Sequence, residues 1–155
     1  MELQFITDEK ISETSSKGNQ EKWYHTLIFE IESLFLNDDR HLNNIAVIYD
    51  GKKYSYCPVF DNGASLLSNT QISQMDIMPR ALISVLKARP FNTSFTRQMN
   101  SAGKLFGKQL HIKSLSKKQI AEIIKPMLEY YPERDRWIIS DRVIECIFSR
   151  QKYFT

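Results

Sequence analysis

Residues 45–57, IAVIYDGKKYSYC, contain two short β-prone runs, Ile45–Tyr49 and Lys53–Cys57, joined through Asp50-Gly51. An Asp-Gly pair between such runs is a strong hairpin signal, because glycine adopts the positive φ that a tight turn demands. Pro58 ends the second run, since proline has no N–H to give to a ladder. No other stretch constrains the fold as much, because the rest of the chain reads as helix and loop. One hairpin leaves the core to helices, and the predicted fold class is mainly α with one small β-hairpin.

Ahead of the hairpin, EKWYHTLIFEIESLFL puts Trp23, Leu27, Ile31 and Leu34 at helical spacing, with Phe35 widening the stripe. This predicts a core-facing helix ending at Asn37. Beyond the hairpin, Asp76 is positioned to cap a helix with Pro79 near its start, carrying Leu82, Val85 and Leu86 inward until ARPFN breaks it. SKKQIAEIIKPMLEYY opens on a capping box, Ser116 to Gln119, and turns Ile120, Ile123, Ile124 and Met127 to one side, with Pro126 positioned to kink or shorten it. A last helix, from about Arg134 to Lys152, carries Trp137, Val143, Ile144, Ile147 and Phe148. Residues 11–21, ISETSSKGNQE, are polar and Ser-rich, so residues 1–22 read as a flexible lead-in to one domain over 23–155.

With 42% apolar and 25% charged residues, the composition is that of a soluble globular domain. No apolar run is long enough to span a bilayer, and MELQFITDEK lacks the basic start and apolar stretch of a signal peptide. The expectation is a cytoplasmic protein with no membrane partner. Cys57 and Cys146 lie far apart with no CxxC or Cys/His pairing nearby, so they read as buried thiols. The net charge of +3 conceals a polarity. Residues 1–78 hold six Lys and Arg against twelve Asp and Glu, a net of −6, whereas residues 79–155 hold fifteen against six, a net of +9. A basic second half suits an acidic partner or a phosphate-bearing ligand.

Two acid-bearing loops flank the hairpin. Asp39 is followed five positions later by Asn44, and Asp61 opens Asp61-Asn62-Gly63. Asp-x-x-x-x-Asn is the spacing of a kinase catalytic loop, in which the Asp takes the proton of the attacking hydroxyl and the Asn holds magnesium, and a later Asp-x-Gly supplies a second metal ligand. Phosphoryl transfer is mostly positioning and charge neutralisation, so it needs one carboxylate at the nucleophile and hard oxygen ligands for the metal. A rigid hairpin between the loops can bring both to one edge.

LNDDRHLNN followed by CPVFDNGASL resembles the catalytic and metal-binding loops of HipA-like serine/threonine kinases, which read Asn-x-Asp-x-His-x-x-Asn and then Pro-x-x-Asp; KARPFNTSFTRQ resembles a segment that follows these loops in some members. DRHLNN is equally similar to the Asp-Arg-His-x-x-Asn loop of phosphoinositide kinases. The resemblance extends over roughly residues 23–150 and matches only the C-lobe of such a kinase. It implies that Asp39 is the catalytic base, that His41 lies near the transferred phosphate, that Asn44 and Asp61 bind Mg²⁺, and that ATP is the phosphate donor.

A complete kinase also carries a glycine-rich loop and a strand lysine for the nucleotide phosphates, normally a whole lobe ahead of the catalytic loop. Residues 1–38 have one glycine, Gly18, and no such strand. GKLFGKQ, at 103–109, is not a Walker A loop: its glycines are one residue too close, and Gln109 stands where Ser or Thr would bind Mg²⁺. The chain therefore reads as a kinase C-lobe that takes its N-lobe from elsewhere and acts on a protein substrate. The alternatives are a non-catalytic kinase-like module, bound to an antitoxin-like or other protein through its basic half, and a small helical nucleic-acid-binding protein. The last lacks any recognisable reading motif, and nucleic acid enters only indirectly.

Overall fold

The computed structural model describes the backbone of residues 3–4 and 18–155, with side chains from Tyr24 onward. The described residues form five α-helices and a small antiparallel sheet. Strand β1 (Leu3–Gln4) leads into α1 (Gly18–Phe35), followed by a 3₁₀ turn (Leu42–Asn44), β2 (Val47–Tyr49), β3 (Tyr54–Tyr56), α2 (Pro79–Val85), α3 (Phe95–Phe106), α4 (Lys117–Leu128) and α5 (Glu133–Gln151). Most of the Ser-rich lead-in, residues 5–17, lies outside the described residues, whereas Gly18–Lys22 are already the opening of α1.

The hairpin forms where Asp50-Gly51 predicts it. Val47 faces Tyr56, Ile48 faces Ser55 and Tyr49 faces Tyr54, and the carboxylate of Asp50 accepts the N–H groups of Lys52 and Lys53, both at 2.9 Å, while Gly51 takes a φ of +93°. On its other edge β2 pairs with β1, which adds a third strand that the sequence pattern does not announce. The hairpin hangs on α1 through Tyr24. Its ring stacks on Tyr56 at 4.2 Å between centroids, and its hydroxyl donates to the carbonyl of Cys57.

The middle of the molecule is α1, which packs against α3 and α5, while α4 and α2 also pack on α5. Being covered on several sides, α1 buries polar as well as apolar residues: Tyr24, Ile28 and Leu34, but also Thr26, Glu30, Glu32 and Ser33. The predicted stripe is therefore only part of its buried surface. Leu27 and Ile31 are half-buried, Phe35 is exposed, and the side chain of Trp23 lies outside the described residues. The helix stops at Phe35, because Leu36 enters the left-handed region at φ +55°. One apolar cluster joins Leu36, Leu67, Leu82, Ala88, Phe95 and Cys146; a second joins Leu34, Met99 and Phe154.

Polar groups close the core where backbone would otherwise be left unpaired. The carboxylate of Glu30 accepts the N–H groups of Gln109 and Leu110, the latter at 2.7 Å, and Arg150 donates to the carbonyl of Ser33 at 2.8 Å. Arg142 donates to the carbonyls of Leu67, Ser73 and Gln74 at 2.9, 2.8 and 2.7 Å, which fixes the long loop between the hairpin and α2. Each offsets the cost of a buried carbonyl or N–H without a partner.

Several inward-facing assignments are corrected. Helix α2 begins on Pro79 with Met78 at its N-cap and no side-chain cap, so Asp76 does not cap it, and Val85 points to solvent while Leu82 is buried. Along α4 the capping box of Ser116 and Gln119 forms as expected and Pro126 is held inside the helix. Its inward line, however, runs Ile120, Ile124, Leu128, the 3.6-residue row nearest α5, leaving Ile123 and Met127 exposed. The buried face of α5 is Arg142, Glu145, Cys146, Arg150 and Gln151, and Trp137 and Phe148 are exposed. Helical spacing is present there in mostly polar residues, so an apolar pattern misses it. Residues 95–106 form a helix that the reading above did not place, capped by Ser94, whose hydroxyl accepts Arg97 N–H at 3.2 Å. Gly103 lies in its last turn and Gly107 ends it at φ +78°, so GKLFGKQ is a helix terminus.

Candidate functional site

Two loops leave the ends of regular elements close to one another: 37–44, after α1, and 57–63, after β3. Leu36 turns the chain so that Asn37 is buried. The Asn37 amide oxygen accepts Asp39 N–H at 3.2 Å, and its amide nitrogen donates to the carbonyl of Asp61 at 3.3 Å. Asn37 thus holds the backbone of both acids.

Arg40 ties the loops more firmly. It is 1% exposed, and its guanidinium donates to the Glu32 carboxylate at 2.9 Å, to the carbonyls of Asn44 at 2.8 Å and Phe60 at 2.6 Å, and to Oδ1 of Asn62 at 2.7 Å. The planar fork of arginine permits four such bonds at once. Burial pushes the Glu32 carboxyl above its ordinary value while Arg40 draws it back down, and Glu32 Oε2 has no hydrogen-bond partner among the described residues. An uncompensated charge at such depth costs several kcal/mol, so the pair holds together as a unit.

Around this clamp each predicted site residue can be located. Asp39 is half-buried, and its backbone carbonyl accepts His41 N–H at 2.8 Å and the Asn44 side-chain amide at 3.2 Å. Its carboxylate is paired with Arg89 at 2.8 Å, with both side chains about half exposed. Asn44 is buried at the end of the 3₁₀ turn; its Oδ1 accepts no hydrogen bond among the described residues. Asp61 is exposed, with its carboxylate likewise unpaired among the described residues, and stands at φ +55°. A left-handed non-glycine residue costs about 1–3 kcal/mol and persists only where the surroundings impose it. Here the bond from Asn37 and the Arg40 bond to the preceding carbonyl do so. His41 Nδ1 is buried without a partner among the described residues.

The loops of Asp39, Asn44 and Asp61 are therefore one hydrogen-bonded unit, while the Asp39 carboxylate itself is engaged by a residue from a third loop. Among the described residues no cluster of three or more His, Cys, Asp or Glu is arranged to hold a metal ion. Asn44 Oδ1 and the Asp61 carboxylate, unpaired among the described residues, are hard donors of the kind Mg²⁺ accepts together with water and phosphate. The sequence reading missed Glu32, Asn37, Arg40 and Arg89. Asn37 and Arg40 stand inside the motif and Arg89 inside KARPFNTSFTRQ without a role being given to them, and Glu32 left no trace in the pattern.

Cys57 is half-buried and Cys146 fully buried, and both are free thiols. Among the described residues no helix is long and apolar enough to cross a membrane. Comparisons with protein-family models, curated proteins and solved structures gave no match.

Proposed function

We propose that the chain carries the base and metal-binding loops of a serine/threonine phosphotransferase of the HipA-like kind, and that another lobe supplies the contacts to the nucleotide phosphates. The observation that carries this reading is the Arg40 clamp. Buried against Glu32, it bonds to Asn44 on the first loop and to Phe60 and Asn62 on the second, so that residues sixteen and eighteen positions apart in sequence share one support. A turn of Asn, Asp and Gly that served only to reverse the chain would not need a buried arginine to bind it to a second turn.

In this reading Asp39 accepts the proton of a Ser or Thr hydroxyl as that oxygen forms its bond to phosphorus and the bond to the nucleotide leaving group breaks. Asn44 and Asp61 would hold Mg²⁺, which when bound neutralises charge on the phosphates. Arg40 and Asn37 orient the loops, and His41 stands beside them with a ring nitrogen unpaired among the described residues. Because positioning dominates this reaction, the chain alone should transfer no appreciable phosphate.

The test is transfer of labelled γ-phosphate from ATP to a Ser-containing protein, with and without an added kinase N-lobe. Activity should appear only with the lobe, and Asp39→Asn or Asp61→Asn should reduce it by about 10²–10⁴-fold. Robust transfer by the chain alone would refute the need for a second lobe. The Asp39–Arg89 pair favours a second reading, a non-catalytic module whose basic half docks a protein; failure with every lobe would favour it.

A further inference from the structure

Next to the candidate base lies a cavity of about 300 Å³, between the loop after the hairpin, α2 and the turn that follows α2. Its lining includes Asp38, Ile72, Val85, Lys87, Arg89 and Asn92. Two features of its lining bear on what it holds. Ile72 and Val85 are aliphatic yet 67% and 68% exposed, leaving apolar surface uncovered at the mouth. Lys87 has no ion-pair partner among the described residues, and Arg89 reaches past the cavity to Asp39 at 2.8 Å. Arg89 is shared with Asp39, so the cation left without an ion pair among the described residues is Lys87, and it faces one lining carboxylate, Asp38, whose charged form is disfavoured by burial. The turn that presents them is anchored: Ala88 pairs with Thr93, and Gln98 of α3 donates to the carbonyl of Arg89 at 3.0 Å.

We propose that this cavity seats an acidic segment of a protein acceptor, with a carboxylate side chain at Lys87 and Arg89 and an aliphatic neighbour against Ile72 and Val85, so that the acceptor hydroxyl comes to Asp39. The inference rests on the reading of Asp39 as a base. A peptide suits both kinds of surface, since it offers charge and an aliphatic group side by side. A free phosphate would use only the cations, and a nucleic-acid strand would need a row of them along its backbone. Arg89 acquires a second role: an incoming carboxylate competes with Asp39 for its guanidinium and leaves the Asp39 oxygens free for the hydroxyl.

Binding is read without ATP, by fluorescence anisotropy of a short labelled peptide in which Ser is flanked by Glu and Leu, against a matched peptide with Lys for Glu. The acidic peptide should bind at least about tenfold more tightly, and Lys87→Glu should remove about tenfold of its affinity. Val85→Asp should weaken it as well; both positions are exposed, and circular dichroism checks that the fold is kept. Asp39→Asn should tighten binding, because Arg89 is released to the incoming carboxylate. Equal binding of the two peptides, or affinity indifferent to Lys87→Glu, overturns the proposal. So does competition by inorganic phosphate at peptide strength, or capture on phosphoinositide-bearing vesicles without peptide binding, either of which would mark a phosphate site. If the acidic preference holds but no added lobe yields transfer, the seat stands and the phosphotransfer reading falls.

Discussion

Arg40 shows how much one side chain can organise. Its guanidinium, itself buried, meets a carboxylate, two carbonyls and a side-chain amide. Arg40→Met leaves Glu32 buried and unpaired, and should destabilise the fold by ~3–5 kcal/mol in urea melts. Arg40→Lys keeps the charge without the fork and should cost less but still separate the loops. Adding Glu32→Gln to Arg40→Met should recover part of the loss, since the orphaned charge is gone. If the double variant is no more stable than Arg40→Met alone, burial of Glu32 is not what makes the clamp obligatory.

Among the elements, α5 meets α2 and α4 through ion pairs as well as packing. The Glu145 carboxylate is paired with Lys117 and, at 2.9 Å, with Arg80. These cations, the Lys117 hydrogen bond foremost, hold its carboxyl below the ordinary value of 4.5. A carboxyl with a depressed folded pKa contributes stability above its unfolded value and loses it as pH falls through the folded one. Arg80 and Lys117 are 72% and 47% exposed, so solvent screening limits the effect to ~1 kcal/mol or less. Glu145→Gln should therefore be less stable than the native chain above pH 4.5 and converge with it in stronger acid, as measured by denaturant melts at two pH values. A constant difference across that range would assign the effect to packing. Some element limits were legible in the sequence, namely the hairpin, the Ser116 capping box and the last helix to within a residue at either end, whereas α3 was not placed, α1 opens inside the predicted lead-in and α2 starts without the predicted Asp76 cap. Facing was less so, because α1 and α5 bury Glu, Arg and Ser alongside their apolar residues, and an apolar count cannot see which charges will be paired. The two acidic loops stood out by spacing. Their support did not, because the bonds that Arg40 makes to the second loop and Arg89 makes to Asp39 span 20 to 50 residues, and two of Arg40's acceptors are backbone carbonyls, which no side-chain pattern encodes.

For the whole molecule, Cys146 reports on integrity. It is 0% exposed within the cluster that joins the loop after the hairpin to α2, α3 and α5, and burial pushes its thiol up to about 12. The thiolate is the reactive form, so an alkylating reagent should spare Cys146 in native buffer while the half-buried Cys57 is labelled. Labelling of Cys146 should appear with denaturant at the same midpoint as loss of helix signal. Its modification well before that midpoint would mean that the cluster opens locally. The Arg40 clamp has another consequence, for descent. A change in either loop alters what the shared guanidinium must satisfy, so the two loops cannot wander independently through substitution. Removing either loop would strip the guanidinium of acceptors and leave the other without its support.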